Sequence, residues 1–146
     1  MKFSFFIFFV GLSIAGIEVQ YVYDGDTIKV IDEREKKIRL INIDAPESKQ
    51  FYGDSSTLYL RKFLKGKSID LQIVNSDQYG RELAIVFADG EDVNYHLVRN
   101  GYAWAYQYCK DESIIAAMGM AKKEKKGLWK YPDAINPYYF RKMAKN

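Results

Sequence analysis

Arg39, Asp44 and Glu47 occur together in one short stretch of the sequence. The apolar strand predicted over residues 38–43 contains the arginine, and both acids follow within four residues of its end. Pro46 cannot continue a sheet ladder, so the chain is predicted to turn there. The stretch therefore places two carboxylates at the edge of a core, where water and a ligand can reach them.

Two further charged residues, Asp26 and Arg81, stand at the starts of other apolar stretches. Successive strand residues face opposite ways, so Asp26, Arg39 and Arg81 are each predicted to share a face with apolar neighbours. Those neighbours are Ile28 and Val30, then Ile41 and Ile43, then Leu83, Ile85 and Phe87. Because an unpaired buried charge is very unfavourable, we expect the three charged residues to gather at the open end of the core.

The pairing of the second and third predicted strands brings two acids together. If the charged loop between them centres at residues 34–35, Asp26 lies opposite Ile43 or Asp44. Two like charges at that distance repel each other unless a cation lies between them. Carboxylates without His or Cys suit a hard ion, so the acids predict a site for Ca²⁺ or Mg²⁺.

One alternative stays open at this point. Strict alternation puts Asp44 on the face opposite Arg39, so the turn at residues 45–46 must redirect its side chain. Without that redirection, Asp26–Arg39 and Asp44–Arg81 are only salt bridges.

A divalent cation flanked by two guanidinium groups predicts a particular chemistry. Such a cluster matches the charge of a phosphodiester that passes through a five-coordinate transition state. Arginine suits this role because it donates two parallel hydrogen bonds and stays protonated. Glu47, beyond the turn, is placed to hold and deprotonate an attacking water.

Five strands and three helices are predicted to position these residues. The strands cover residues 17–23, 26–31, 37–43, 69–73 and 83–88, and the helices cover 56–65, 93–100 and 111–126. Asp54 or Ser55 is the expected N-cap of the first helix, and Asp92 that of the second. This order favours an α+β protein built on the five-stranded barrel of the OB-fold, which binds oligonucleotides on its face.

The first 16 residues are predicted to be a cleaved secretory signal. Lys2 precedes an apolar run of about fifteen residues, which is short of the roughly twenty that a membrane-spanning helix needs. Ser13 and Ala15 fit the small-residue pattern of a signal-peptidase site. The alternatives are an uncleaved membrane anchor and a first strand of the fold. We expect a domain over residues 17–146 in a secreted or periplasmic protein.

Charge and rare residues narrow the function classes. Residues 17–109 hold 12 Lys and Arg against 15 Asp and Glu, whereas residues 110–146 hold 9 against 4. A basic end beside an acidic body suggests a polyanionic partner, although such runs are commonly solvated helix faces. A single cysteine, Cys109, excludes an intramolecular disulfide. A single histidine, His96, excludes nucleases that need two catalytic histidines.

At these residues the sequence resembles the staphylococcal nuclease family. The resemblance rests on three motifs in register, which are Asp24-Gly25-Asp26-Thr27, then Arg39-Leu40 to Asp44-Ala45-Pro46-Glu47, then Tyr79-Gly80-Arg81. It extends over about residues 17–141, through Val93-Asn94, the run from Leu97 to Gly101, Gly127-Leu128-Trp129 and the tail from Pro137 to Arg141.

The resemblance implies a five-stranded barrel and Ca²⁺-dependent endonuclease cleavage of DNA and RNA that leaves 3′-phosphate ends. It implies that Asp26, Asp44 and the backbone carbonyl of Ala45 bind the metal. Arg39 and Arg81 would bind the scissile phosphate, and Glu47 would activate water. The best-known member has Thr where Ala45 stands, so we expect an altered metal affinity here.

The resemblance also places three tyrosines around the substrate. Tyr79, Tyr106 and Tyr108 fall where the family has aromatic residues near the nucleotide. Stacking on them would tolerate any base, so the expected substrate is single-stranded or denatured DNA or RNA, bound by a monomer. The alternative interpretation is that these tyrosines only pack at the protein surface.

Two other functions compete with a secreted nuclease. The first is a non-catalytic OB-fold module that binds nucleic acid or protein. Degenerate repeats of the family lose the acids and arginines, whereas all five of those positions are kept here. The second is a nuclease that stays tethered to a membrane by its N-terminal segment.

Overall fold

The main sheet contains seven strands in the computed structural model, which describes residues 11–146. Its strands are β1 (Leu12–Ile17), β2 (Val19–Asp24), β3 (Thr27–Val30), β4 (Lys37–Leu40), β6 (Ile69–Ser76), β7 (Glu82–Ala88) and β8 (Glu91–Asp92). They pair in the order β1-β6-β7-β4-β3-β2, with β8 on β7. A second sheet joins β5 (Ile43–Asp44) to β9 (Trp104–Ala105).

The described residues also form four α-helices. They are α1 (Gly53–Leu64), α2 (Val93–Arg99), α3 (Glu112–Lys123) and α4 (Pro137–Met143), and a 3₁₀ turn spans Gly127–Lys130. The helix α1 packs on β2, and α2 packs on β7 and α3. The core between them is aliphatic, with Ile28, Ile38, Leu40, Leu60 and Leu97 all fully buried.

The predicted α+β class is confirmed, but the predicted element counts are not. The structure has four helices in residues 11–146, because Asn136 accepts a hydrogen bond from the Tyr138 amide and Pro137 begins the unpredicted helix α4. The pairing path of the main sheet ends at β1 and β2 rather than closing on itself. Only Glu18 separates those two strands along the chain.

The predicted caps were right for α2 and wrong for α1. The Asp92 side chain accepts a hydrogen bond from the Tyr95 amide at 2.9 Å. Helix α1 begins at Gly53, three residues before the predicted start, and follows Tyr52 in a left-handed conformation without a side-chain cap. A side chain at Gly53 would overlap the carbonyl of Glu47, so the tight loop that precedes α1 determines where the helix begins.

The predicted side-chain parity was right for Asp26 and wrong for both arginines. Ile28 and Val30 are buried, as expected. In β4 the buried residues are Ile38 and Leu40, so Arg39 lies on the other face. In β7 they are Ala84, Val86 and Ala88, so the face that Arg81 shares with Leu83, Ile85 and Phe87 is only half-buried. Both arginines therefore avoid the aliphatic core.

The predicted hairpin register was also wrong. Ile28 pairs with Ile38 and Thr27 with Arg39. The Leu40 amide accordingly donates to the Asp26 carbonyl at 2.9 Å, so Asp26 lies opposite Leu40 and not opposite Ile43 or Asp44. The loop is centred at residue 33 and not at residues 34–35, because the Asp32 carboxylate accepts a hydrogen bond from the Arg34 amide at 3.1 Å and closes a tight turn there.

Asn42 supplies the redirection that the predicted strand lacked. Its φ of 68° is in the left-handed region, which a short polar side chain tolerates and which ends β4. The chain restarts as β5, where Ile43 pairs with Ala105 and Asp44 pairs with Trp104. Side-chain alternation is reset at Asn42, and not at the Ala45–Pro46 turn, so Asp44 comes to the side of Arg39.

Residues 1–10 of the predicted signal lie outside the described residues. Leu12 to Gly16, which also belong to that prediction, lie in β1, and the first three of them pair with β6. Over residues 11–146, no helix combines the length and apolar composition that crossing a bilayer requires.

Candidate active site

The guanidinium of Arg39 joins the two acids that the sequence predicted as a pair. Its Nη2 lies 3.4 Å from Oδ2 of Asp26 and 3.5 Å from Oδ1 of Asp44. Its Nη1 donates to the carbonyl of Leu40. Asp26 is 5% exposed and Asp44 is 1% exposed, so both carboxylates depend on partners within the protein. Asp26, Arg39 and Asp44 therefore form one cluster although they come from different elements.

The turn between β2 and β3 holds Asp26 against the end of β5. The Ala45 amide donates to Oδ2 of Asp26 at 2.7 Å, and the Thr27 hydroxyl donates to its Oδ1 at 3.1 Å. A Cβ on Gly25 would lie 2.6 Å from the Cβ of Ala45 and 2.9 Å from that of Ser56. Glycine thus permits the close approach that links the two acidic segments.

Asp24 is a third acid at this site, which the sequence analysis left without a role. Its Oδ1 accepts a hydrogen bond from the Asp26 amide at 3.0 Å. Burial and the neighbouring charge of Asp26 raise the pKa of Asp24 to about 7. Burial also raises the pKa of Asp44, although hydrogen bonds from Arg141 oppose that shift. Negative charge is therefore concentrated beyond what Arg39 alone neutralises.

Arg141 of α4 is the main residue that the sequence analysis missed. Its Nη1 and Nη2 donate to Oδ1 and Oδ2 of Asp44 at 3.0 and 2.8 Å, and Nη1 also donates to Oε1 of Glu47 at 2.7 Å. These contacts, first those with Asp44, raise the pKa of Arg141. One guanidinium thus holds the predicted metal ligand and the predicted water-activating residue together.

Arg81 lines the same cleft but does not pair with the acid cluster. Its Nε donates to Oδ2 of Asp77 at 2.6 Å, and its amide donates to Oδ1 of Asp77 at 3.0 Å. Burial alone would raise the pKa of Asp77, but the hydrogen bonds from Arg81 lower it. The predicted salt bridge between Asp44 and Arg81 is absent over residues 11–146, because Asp44 pairs with Arg39 and Arg141.

The acids and arginines open into a cleft of about 940 Å³. Of the predicted tyrosines, Tyr79 and Tyr106 line it. Tyr108 does not line it, but its ring centroid lies 5.8 Å from that of Tyr106 and its hydroxyl lies 3.0 Å from that of Tyr138. Tyr138 itself lines the cleft. The predicted aromatic residues therefore lie in or beside the same cleft.

The oxygen ligands that the site offers suit a hard cation. Asp26 and Asp44 offer carboxylate oxygens, and the concentration of acids favours positive charge between them. Over the residues described, no three His, Cys, Asp or Glu side chains are grouped closely enough to hold a metal ion alone. Ca²⁺ takes six to eight oxygens, so a site with two carboxylates needs backbone, water or substrate oxygens as well.

Local signals identify some of the missed residues but not their contacts. Asn136-Pro137 is a recognisable helix start, and Asp24 belongs to a motif already singled out. No local signal connects Arg141 to Asp44, which lies 97 residues earlier in the chain. That contact depends on where α4 docks.

Comparison with known proteins gives consistent similarities. The family described as "Staphylococcal nuclease homologue" matches residues 37–131. An "Uncharacterized endonuclease" of Escherichia coli O157:H7 is 44% identical over 123 residues, which span 82% of this chain and 80% of the relative. A second "Uncharacterized endonuclease", from Haemophilus influenzae, is 35% identical over 127 residues, spanning 85% and 71%. The "Micrococcal nuclease" of Shigella flexneri is 32% identical over 142 residues, spanning 88% and 82%.

Proposed function

Because this chain belongs to the staphylococcal nuclease family and is an endonuclease of that family, we propose that it is a Ca²⁺-dependent enzyme that hydrolyses the phosphodiester bonds of DNA and RNA. We propose low sequence specificity and 3′-phosphate ends. The observation that supports this most is the pair of buried carboxylates at one nitrogen of Arg39, in a cleft that also holds Glu47 and Arg81.

Asp26, Asp44 and the backbone carbonyl of Ala45 would hold the cation. When bound, Ca²⁺ would supply positive charge for the phosphate as negative charge develops on it. The contacts of Arg39 Nη2 to both acids, at 3.4 and 3.5 Å, are longer than a close charge-assisted hydrogen bond, so Nη2 is available to a substrate phosphate while Nη1 stays on the Leu40 carbonyl.

Glu47 and Arg81 would complete the reaction. Glu47 would orient water and accept its proton as the water oxygen bonds to phosphorus, while the bond from phosphorus to the 5′ oxygen breaks and that oxygen takes up a proton to leave as a hydroxyl. Arg81, oriented by Asp77, would stabilise the transition state from the same cleft. Tyr79, Tyr106 and Tyr108 would stack on bases, which favours single-stranded substrate whatever its sequence.

Digestion of denatured DNA with added Ca²⁺ or with a chelator tests this proposal. We expect cleavage only with Ca²⁺, and Glu47→Gln should slow cleavage while nucleotide binding stays dependent on metal. Equal digestion in both tubes, or none in either, would contradict the metal mechanism. Products with 5′-hydroxyl ends should accept phosphate from polynucleotide kinase without prior dephosphorylation.

We also infer that the main sheet is the five-stranded OB barrel. β1 pairs with β6 at one end of the sheet, and β2 pairs with β3 at the other end. Only Glu18 separates β1 from β2 along the chain, which supports counting them as one bent strand. With β3, β4, β6 and β7 this makes five. A crystal structure in which β1 and β2 belong to unconnected sheets would overturn that inference.

Secretion or transport to the periplasm is a further part of the proposal. The apolar run and the small residues at positions 13 and 15 support cleavage after Ala15, at the end of the predicted signal, after which the monomeric enzyme would have no stable membrane partner. N-terminal sequencing of the mature protein tests the cleavage, and an unprocessed N-terminus would contradict it. Sedimentation equilibrium tests the monomer.

A further inference from the structure

One side of the cleft is formed by a strip of residues on α4 and the turn after it. Tyr138, Arg141, Lys142 and Lys145, here called the α4 strip, all line the cleft that contains the catalytic candidates. Their spacing of three, four and seven residues puts them on one helix face. The amide of Lys145 donates to the carbonyl of Lys142 at 3.4 Å, which continues the turn past the helix end.

The α4 strip is fixed in place by contacts at both ends of the helix. Pro137 is buried, and the Gln50 side chain donates to the carbonyl of Ile135 just before the helix. At the other end Arg141 holds Asp44 and Glu47. The helix is therefore attached to the loop that carries the catalytic candidates.

The two lysines of the strip have charge available for a ligand. Lys142 and Lys145 are exposed, and within residues 11–146 neither forms an ion pair with a carboxylate. Arg141, by contrast, is already paired with Asp44 and Glu47. Two unpaired ammonium groups beside an acidic cluster favour an anionic ligand that has more than one charge.

Tyr138 adds an aromatic surface beside those charges. The Nζ of Lys142 lies 4.4 Å from the centroid of the Tyr138 ring. The ring also contacts that of Tyr108 edge to face, with centroids 5.9 Å apart, which fixes its orientation. The turn between β6 and β7 carries a similar pair, in which the Arg81 guanidinium lies 5.8 Å from the Tyr79 ring centroid.

We propose that the α4 strip is a second substrate-binding subsite, which binds single-stranded nucleic acid beside the scissile phosphate. Lys142 and Lys145 bind backbone phosphates, and the Tyr138 ring stacks on a base. The combination of cations with an aromatic face is the one that binds single strands without reading sequence. This inference rests on the proposed nuclease function, because it assigns the strand to the same cleft.

Binding of a fluorescein-labelled oligothymidylate tests the lysines. The parent is the full chain with Glu47→Gln, in Ca²⁺, so that cleavage does not obscure anisotropy measurements. Lys142→Gln with Lys145→Gln should weaken binding and reduce the slope of log affinity against log salt by about 1.4, since each single-strand phosphate contact contributes about 0.7. The matched control, Lys123→Gln with Lys126→Gln, removes equal charge from α3 and its C-terminal end, outside the cleft lining, and should leave the slope unchanged.

Substitutions of Tyr138 should affect binding differently from substitutions of the two lysines. Tyr138→Leu should weaken binding on the order of tenfold with an unchanged salt slope, because stacking releases no counterions. Tyr138→Phe keeps the ring and removes the hydroxyl, which contacts Tyr108 and Lys142, so the ring should still stack and binding should stay close to that of the parent.

The outcomes separate the subsite from the proposed function. If the wild-type chain cleaves and the parent binds, but the double lysine variant keeps the parent's affinity and slope, the α4 strip is not a subsite. Equal losses in the α3 control would mean a general charge effect and would also overturn it. Absence of both Ca²⁺-dependent cleavage and oligothymidylate binding would instead refute the nuclease proposal, and the subsite with it.

Discussion

At the scale of single residues, Asp44 shows how strongly the site depends on positive charge. The carboxylate is almost completely buried and is shared between Arg39 and Arg141. Burial still raises the pKa of Asp44, so these partners do not fully compensate for lost hydration. A divalent cation at this position would add the missing positive charge. Arg141 and the proposed Ca²⁺ would therefore serve the same carboxylate.

Arg141→Gln should lower the free energy of unfolding by about 1–3 kcal/mol in chelator, because the buried Asp44 carboxylate loses its two-pronged partner. The loss should be smaller in saturating Ca²⁺, since the cation supplies the counter-charge. Urea denaturation under both conditions measures the difference. Arg61→Gln, on the exposed side of α1, is the matched control and should change little. Equal losses for Arg141→Gln with and without Ca²⁺ would show that the two cations do not share Asp44.

Arg81→Ala should reduce the rate of DNA cleavage by at least about 10²-fold, the typical effect of removing one preorganised donor. Its Asp77 partner would keep its backbone hydrogen bonds, so the fold should persist. Cleavage rates at saturating DNA, with circular dichroism as the folding check, test this. If the cleavage rate decreased by less than about threefold, the role of Arg81 would be structural instead. Arg61→Ala controls for the loss of one arginine.

At the scale of elements, the turn between β2 and β3 determines the spacing of the acids. Gly25 lies against Ala45 and Ser56 without room for a Cβ. This close approach lets the Asp26 carboxylate accept a hydrogen bond from the Ala45 amide, which connects the start of β3 to the end of β5. The acids converge through this packing and not through strand pairing.

Gly25→Ala should lower the free energy of unfolding by about 1–3 kcal/mol, because the added methyl group overlaps two side chains. It should also weaken Ca²⁺ binding, measured by calorimetry, as the turn moves away from Ala45. Gly119→Ala is a control that should change the free energy of unfolding in the opposite direction. Gly119 lies within α3 with nothing within 4 Å of an added Cβ, so alanine should stabilise by about 0.5–1 kcal/mol. A Gly25→Ala protein with unchanged stability and Ca²⁺ affinity would contradict this account.

At the scale of the whole molecule, the N-terminal strand is the least buried part of the main sheet. In β1, Leu12 is 53% exposed and Ile14 is half-buried. Leu12, Ser13 and Ile14 pair with β6, whereas Ile17 pairs separately beyond a bulge. The proposed signal cleavage after Ala15 would remove only the first of these two segments.

A chain that begins at Gly16 should therefore still fold. Compared with a chain that begins at Gly11, we expect about 1–2 kcal/mol less free energy of unfolding, because one half-buried side chain and a short ladder are lost. Urea denaturation of both chains measures the difference, and Ca²⁺-dependent cleavage should be retained. Failure of the shorter chain to fold would show that residues 11–15 belong to the domain and would contradict cleavage at this site.

The sequence by itself determined the features that depend on near neighbours. The cap at Asp92, the turn after Asp77 and the buried alternation of Ile28 and Val30 all follow from local backbone preference and periodicity. Five charged residues of the site were also evident from the sequence, whereas Arg141 and the place of Asp24 beside Asp26 were not. All five predicted charged residues line the cleft. Arg81 differs from the other four because its partner is Asp77, away from Asp26 and Asp44.

Only the tertiary structure decided how those residues meet. One left-handed residue, Asn42, separates β4 from β5 and resets the side-chain alternation, so Asp44 reaches the side of Arg39. The hairpin register was set by the turn at Asp32, and the docking of α4 brought Arg141 to Asp44 across 97 residues. Such contacts depend on packing between distant segments, which no local pattern of residues encodes.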